Sequence, residues 1–441
     1  MERELLIEVL LRWNIWGRRT FRESLKREKL EEAMNLLSSK RALLIIGPRR
    51  AGKTTLMEQM MKELSGKYNP KRFLYINFED YALSSQKLSS QTLEDIVQVY
   101  TEEVYPGEGV FLFLDEIQNV EGWHRWVRNA LELGRFSAVV ISGSSSKLLS
   151  GELSSLLTGR HLDILVLPFS FREYLAYFKV LPKDRLKARS NLPALNNYLK
   201  SYVNFGGFPE IVTSISDESQ KYFLLSQYAQ DMVLKDVALR KGVENVEFLK
   251  WLASFLAKNI SRKVSIRSLQ KLYKAFLGGK SSVSTSTVSN YISFLEEAYI
   301  VFRCRKFSFS EKEALLSPFK IYMVDPGLRN AMYPSRTPDF GHLLENMVFL
   351  HILPFCERIS YFEERGEIDF VCEKNGEYIL LNVTAAASEK ELSDRELRSF
   401  DEFPIRPSRC FIITWNLHGK LRTKNCPIEM IPAAEFFLSE W

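Results

Sequence analysis

The chain has 441 residues, 46% hydrophobic and 26% charged, an ordinary globular composition with room for two to four domains. Basic residues exceed acidic ones by 60 to 54, a mild net +6, and no run of 18 apolar residues is present, which excludes a membrane-spanning helix. Five scattered cysteines (Cys304, Cys356, Cys372, Cys410, Cys426) without a C-x-x-C pair point to a reducing cytoplasm, and five scattered histidines argue against a zinc site.

The N-terminus, Met1-Glu-Arg-Glu-Leu-Leu-Ile-Glu8, mixes acids into an apolar stretch and offers no small-residue cleavage site. It reads as an amphipathic helix packed on the core of the first domain. Arg41–Ile46 is an apolar run that predicts a buried strand. Next come Gly47, Pro48, Arg49, Arg50, Ala51, Gly52, Lys53 and Thr54, which fit G-x-x-x-x-G-K-[ST]. Glycines at both ends let backbone N–H groups turn inward onto phosphate oxygens. The lysine reaches the β/γ-phosphates, and the hydroxyl of Thr54 helps hold Mg²⁺. A helix running through Thr55 to Leu64 points its positive dipole end at the phosphates. Strand, loop and helix agree, so residues 47–55 form the expected nucleotide cradle rather than an ordinary glycine turn.

Phe73–Asp80 predicts a second strand, closing on Glu79 and Asp80, which line the cleft or simply end a strand in solvent. Gly109–Ile117 predicts a third, with acids at its end. Asp115 is assigned to the Mg²⁺ shell and Glu116 to the general base that takes a proton from attacking water. The bland alternative, that the two acids cap the next helix, is compatible with that role. This helix, Gly122–Leu133, puts Trp123, Trp126, Val127, Ala130 and Leu131 on one face. Ser137–Ser145 predicts a fourth strand that turns abruptly hydroxylic. Ser144 or Ser145 contacts the attacking water or the γ-phosphate, or else forms a plain turn.

The ordered set Gly-Pro-Arg-Arg-Ala-Gly-Lys-Thr-Thr, Tyr-Ile-Asn-Phe-Glu-Asp, Phe-Leu-Asp-Glu-Ile-Gln, Ser-Gly-Ser-Ser-Ser, Thr158-Gly-Arg160, Leu167–Glu173 and Gly206-Gly-Phe-Pro-Glu210 resembles prokaryotic, especially archaeal, AAA-type ATPases with a C-terminal domain of uncertain function. The resemblance implies an α/β P-loop NTPase (AAA+-like) parallel sheet with a helical lid, a winged helix-turn-helix domain and a C-terminal α/β restriction-endonuclease-like domain. It also implies that Arg160 is an arginine finger acting on a neighbouring subunit's nucleotide, hence a homo-oligomer. The alternative for Arg160 is a surface ion pair. The expected domains are 1–175, the ATPase core with its N-terminal helix; 176–240, the lid; 241–319, the winged helix; and 320–441, the endonuclease-like fold.

Within 176–240, Asp231, Lys235, Asp236 and Arg240 read as a solvated helix face; the alternative is that Lys235 or Arg240 senses the γ-phosphate. Residues 241–310 carry twelve basic and four acidic residues, a net +8. Arg267, Lys271 and Lys274 share one helix face, opposite Ile266, Leu269, Tyr273 and Phe276. The next helix, Ser284–Leu295, turns Val288, Ile292 and Leu295 inward and Ser286, Ser289, Asn290 and Ser293 outward, before a basic strand pair at Phe302–Lys306. Small polar side chains for a groove and cations for phosphates suggest DNA contact. The alternative is a protein contact.

For the C-terminal segment, the endonuclease pattern is matched by Glu345 and Asp369. Where acid-x-Lys is expected stand Asn382 and Thr384, so one carboxylate and the lysine are missing and the fold reads as inactive, structural or DNA-gripping, a second DNA contact beside 241–310; Glu367 and Glu373 are substitutes that no spacing singles out. The sequence therefore predicts a cytoplasmic, Mg²⁺-dependent ATPase coupling ATP hydrolysis to DNA binding or remodelling. Lys53, Glu116, Arg160 and Ser144 are its catalytic set. The alternatives are an ATP-driven regulatory switch on a protein partner and a nuclease-type defence effector.

Overall fold

The computed structural model describes residues 2–144, 159–279, 283–334, 339–384 and 394–439. The apolar runs of the first 167 residues form one parallel sheet: β1 (Ala42–Ile46), β2 (Phe73–Asn77), β3 (Phe111–Asp115), β4 (Ala138–Gly143) and β5 (His161–Leu165), in the order β2-β3-β4-β1-β5. Strands this uniformly apolar need cover on both faces, and the βα connections supply it. Helices α1 (Arg3–Trp13), α2 (Lys29–Leu36), α3 (Lys53–Ser65), α4 (Ser90–Glu103) and α5 (Trp123–Glu132) surround the sheet. One core cluster gathers Leu43, Ile45, Met57, Met60, Phe73, Tyr75, Phe113 and Ile164. Fully burying each such large side chain contributes about 1.5–3 kcal/mol.

The N-terminal segment packs on this unit as its amphipathic pattern implies, burying Leu6, Val9 and Leu10. It also closes the β2 edge. The Asn14 side chain donates to Tyr75 O (2.9 Å) and accepts from Tyr75 N–H (2.7 Å), imitating a neighbouring strand. Trp16 donates to Phe73 O at 2.8 Å. An edge strand left with free amide groups would recruit another chain.

Met1–Leu167 forms one compact unit and Pro168–Trp441 a second. The second begins with helices α6 (Phe171–Tyr177), α7 (Leu192–Phe205) and α8 (Glu218–Asp231), the last continued by a wider helical turn, Met232–Leu239. The charged residues there pair locally, Lys235 with Asp231 and Arg240 with Asp236. The Gly206-Gly207 turn has a steric reason: Gly206 has φ +73°, and a Cβ on it would stand 2.0 Å from the buried Asp325 carboxylate. That carboxylate accepts from Gly207 N–H at 2.7 Å.

Next come α9 (Val246–Lys258), β6 (Lys263–Val264), α10 (Ile266–Phe276), α11 (Thr285–Glu297), β7 (Val301–Lys306), β8 (Phe319–Met323), α12 (Pro326–Met332) and α13 (Phe340–Ile352). The rest is β9 (Arg358–Glu363), β10 (Glu367–Lys374), β11 (Glu377–Val383), α14 (Asp394–Glu402), β12 (Arg409–Thr414), β13 (Gly419–Arg422) and β14 (Pro427–Pro432). The nine strands of this unit form one sheet, β13-β14-β12-β11-β10-β9-β7-β8-β6. β7 and β9 join in parallel, Arg305 opposite Ser360 and Lys306 opposite Tyr361. The expected boundary at 319/320 falls inside β8, so this strand belongs to both expected domains.

On α11, Val288, Ile292 and Leu295 are buried and Ser286 and Asn290 exposed, as the pattern implies. On α10, Leu269 and Tyr273 are buried, but Phe276, expected inward, is 68% exposed because the helix ends there. The basic strand pair is a single strand, and its Arg303 is turned to Glu296 and lies over the Phe319 ring.

The cysteine reading is corrected. Cys356 and Cys372 form one disulfide, Cys410 and Cys426 another, and only Cys304 is a free, buried thiol. Each bridge spans 16 residues and joins partners that adjacent strands bring together, which scattered sequence positions do not reveal. Thiol titration of the denatured chain is expected to find one reactive group before reduction and five after it. Five before reduction would mean the bridges do not form.

Candidate nucleotide-binding site

The site lies where β1, β3 and β4 end. Gly47, just after β1, has φ +144°, and a Cβ there would stand 2.0 Å from Val166 O. Arg50 and Gly52 also have positive φ, +67° and +94°. The loop is thus tightly wound, with Ala51 N–H donating to Pro48 O at 3.4 Å, and α3 starts at once with Lys53. Arg27, which sequence reading did not single out, braces the loop from behind. Its buried guanidinium donates to Ala51 O (2.6 Å) and Leu167 O (2.8 Å).

Lys53 is 4% exposed, and its ammonium donates to the carbonyls of Gly47 (3.1 Å) and Pro48 (2.9 Å). These carbonyls hold it at the loop, 3.7 Å from Glu116 Oε1. Register brings the acids to the same edge: Asn77 lies opposite Asp115, and Ile45 opposite Ser142. Asp115 is fully buried. Its Oδ2 accepts from Thr54 Oγ1 (2.7 Å) and Tyr75 OH (2.6 Å), and its Oδ1 from Ser142 Oγ. Burial, then the Asp115 charge, push the Tyr75 hydroxyl pKa well above its usual value, so it stays a donor.

Glu116 has a left-handed backbone, φ +54°, fixed by its N–H donating to Ser142 Oγ at 3.0 Å. Burial opposes its charge, yet Lys53, then Gln118 and Ser144, hold its pKa below the ordinary glutamate value. Glu116 is therefore ionised near neutrality, as a proton acceptor must be. Ser144 is buried at the end of β4; Ser145 and Thr158 lie outside the described residues. Glu79 does reach the loop, pairing with Arg49 at 2.9 Å. Asp80 instead serves the N-terminal helix, accepting from Arg12 (3.0 Å) and Trp13 (2.7 Å). Thr55 lies in the first turn of α3, and Arg160 is a surface residue paired with Glu132.

A triphosphate and a divalent cation fit this arrangement. Three positive-φ residues wind the loop tightly, and Thr54 and Asp115 place a hydroxyl and a carboxylate side by side. Among the described residues no group of three or more His, Cys, Asp or Glu side chains is disposed to hold a metal ion. Magnesium beside a nucleotide needs fewer, since phosphate and water supply most of its oxygens.

A second polar cluster lies in the other unit, where Glu345, Glu367 and Asp369 gather around a lysine that sequence reading did not single out. Lys320, from β8, is 2% exposed. Its ammonium lies 2.9 Å from Glu345 Oε1, 2.7 Å from Glu367 Oε1 and 2.9 Å from Asp369 Oδ1. Tyr322 donates to Glu345 (2.7 Å), Val383 N–H to Asp369 (2.9 Å), and Lys263 to Glu367 (2.9 Å). Asn382 accepts from Asp369 N–H at 2.9 Å. Burial works against the Lys320 charge, but Asp369, Glu345 and Glu367 outweigh it and hold the pKa well above the lysine range. Burial, then Asp369, raise Glu345 to about 7.

Residues 39–175 match the family model of an AAA domain, and residues 196–339 and 340–433 match two domains of unknown function. The uncharacterized protein MJ1544 of Methanocaldococcus jannaschii is 31% identical over 403 residues, 88% of this chain and 86% of the relative. The chain belongs to the MJ1544 family. An uncharacterized protein of Haemophilus influenzae is 32% identical over 77% of this chain and 81% of its own. Among solved structures, the Aeropyrum pernix Orc1 protein in complex with DNA matches with TM-score 0.35 and 15% identity over 75% of this chain and 96% of that one, too slight a likeness to transfer a ligand. In this member of the family the AAA match encloses the whole loop, Asp115, Glu116, Ser144 and Arg160.

The Lys320 cluster generates a stability prediction. Lys320→Met leaves three carboxylates facing one another without their ammonium. The loss is expected to be about 3–5 kcal/mol, read as a lower urea midpoint of the full chain. An unchanged midpoint would show that the cluster adds nothing.

Proposed function

We propose that the protein is a cytoplasmic Mg²⁺-dependent ATPase that couples ATP hydrolysis to binding or remodelling of DNA. The observation that carries the reading is the meeting of Thr54 with Asp115 at 2.7 Å while Glu116 stands 3.7 Å from Lys53. Loop amides from 47 to 54 bind the phosphates. Lys53 exchanges its two carbonyl partners for β/γ-phosphate oxygens. Thr54 and Asp115 would hold magnesium, which would supply positive charge against the phosphates. Glu116 takes a proton from the water that attacks the γ-phosphorus; the bond to the bridging oxygen breaks and ADP leaves with it. Ser144 steadies the water or the phosphoryl group. Residues 176–240 act as the lid, and Arg160 would have to leave its surface pair with Glu132 to serve as a finger on a neighbouring copy. A cytoplasmic place no longer draws support from the cysteines, although intracellular disulfides are common in hyperthermophiles.

For DNA, the support is the net +8 of residues 241–310, with Arg267, Lys271 and Lys274 exposed on α10 and small polar side chains on the open face of α11. Arg303 is excluded from that role by its pair with Glu296. The carboxylates around Lys320 are committed to an ammonium, so nuclease chemistry forms no part of the proposal.

Lys53→Ala is expected to abolish ATP binding in calorimetry, whereas Glu116→Gln should bind normally and lose about 100-fold or more in turnover. Wild-type turnover by Glu116→Gln would remove the base assignment. Binding of duplex DNA by the full chain should fall steeply with salt, and Arg267→Ala with Lys271→Ala should flatten the log–log slope by about 2. A slope indifferent to salt, or no binding, would favour a switch acting on a protein partner.

A further inference from the structure

Gln118 stands in a single turn, Ile117–Asn119, directly after Glu116. The turn swings its carboxamide back onto the preceding acid. Nε2 donates to Glu116 Oε2 and, at 3.4 Å, to Ser144 Oγ. The other end of the amide, Oε1, is buried and has no hydrogen-bond partner. The amide cannot simply be turned over. That would set Oε1 against a carboxylate oxygen, two acceptors facing each other. An unpaired buried acceptor costs about 1–3 kcal/mol, and such orphans in a native structure call for a reason. Here the fold bears that cost and keeps the donor on Glu116.

The backbone of Glu116 is already fixed by φ +54° and the Ser142 contact. Only its side-chain torsions remain to be set. Oε2 is held by Gln118, and Oε1 faces Lys53 at 3.7 Å. We infer that Gln118 is a positioning residue for ATP hydrolysis: its carboxamide clamps one oxygen of Glu116, so that the other is presented beside Lys53 to receive the proton of the attacking water. The same amide ties this base to Ser144 at the end of β4, joining two strand ends into one catalytic edge. The inference rests on the ATPase reading above. No phosphate contact is assigned to Gln118, so it should govern turnover and leave affinity alone.

Gln118→Met keeps the length and removes the amide. Turnover is expected to fall about 10–100-fold, as small misplacements of a catalytic group do, with ATP affinity changed less than about 3-fold. In a Glu116→Gln background the same change should lower the residual rate less than about 2-fold, because no base remains to be aimed. Gln118→Glu, equal in size but an acceptor, should lose turnover at least as severely while still binding ATP. Normal turnover in Gln118→Met or Gln118→Glu would overturn the inference. So would equal losses with and without Glu116, the mark of a merely structural role, or a parallel loss of affinity. If Gln118→Met fails to fold, Gln118→Glu decides alone. A wild-type chain that hydrolyses no ATP would sink the ATPase reading and this inference with it. A wild-type ATPase with an active Gln118→Met sinks only the latter.

Discussion

A carboxylate without water around it governs the first unit. Asp115 is fully buried, and an ionised group in that position is costly unless donors surround it. Three hydroxyls do so, from α3, β2 and β4. The requirement explains why an apolar strand carries Ser142 and why Tyr75 turns its hydroxyl inward. It also explains the sheet order: with β4 between β1 and β3, one serine touches the acid and fixes the backbone of the residue after it. The hydroxyls satisfy the hydrogen bonding of both carboxylate oxygens.

The second unit answers the same difficulty in the opposite way. Glu345, Glu367 and Asp369 converge, and the chain brings its own cation, Lys320, from another strand. One ammonium thus meets three carboxylates from within. One acidic centre is surrounded by neutral donors, while the other is paired with an internal cation.

What could be read from the sequence was contiguous. The phosphate loop, its strand and its helix occupy one stretch, and Asp115 and Glu116 announce themselves as acids ending an apolar run. The inward residues of α11 followed from helical period alone. What depended on tertiary register stayed hidden. Lys320 sits in an ordinary Phe-Lys-Ile-Tyr strand, and only the pairing of β8 with its neighbours and the docking of α13 bring it to Glu345. Arg27 lies in a stretch with no periodic pattern, and its role emerges only once the loop folds over it. The disulfides needed the strand neighbours to be known. The 319/320 boundary came with the family resemblance, and β8 runs across it.

That continuity has a mechanical meaning. From β6 to β13 the second unit is one hydrogen-bonded plate, shared by the helices that bear the cations and the strands that bear the disulfides. The seam at β7 and β9 is backbone pairing at two positions, Arg305 with Ser360 and Lys306 with Tyr361, so parting the helix-bearing strands from the disulfide-bearing ones would break main-chain hydrogen bonds.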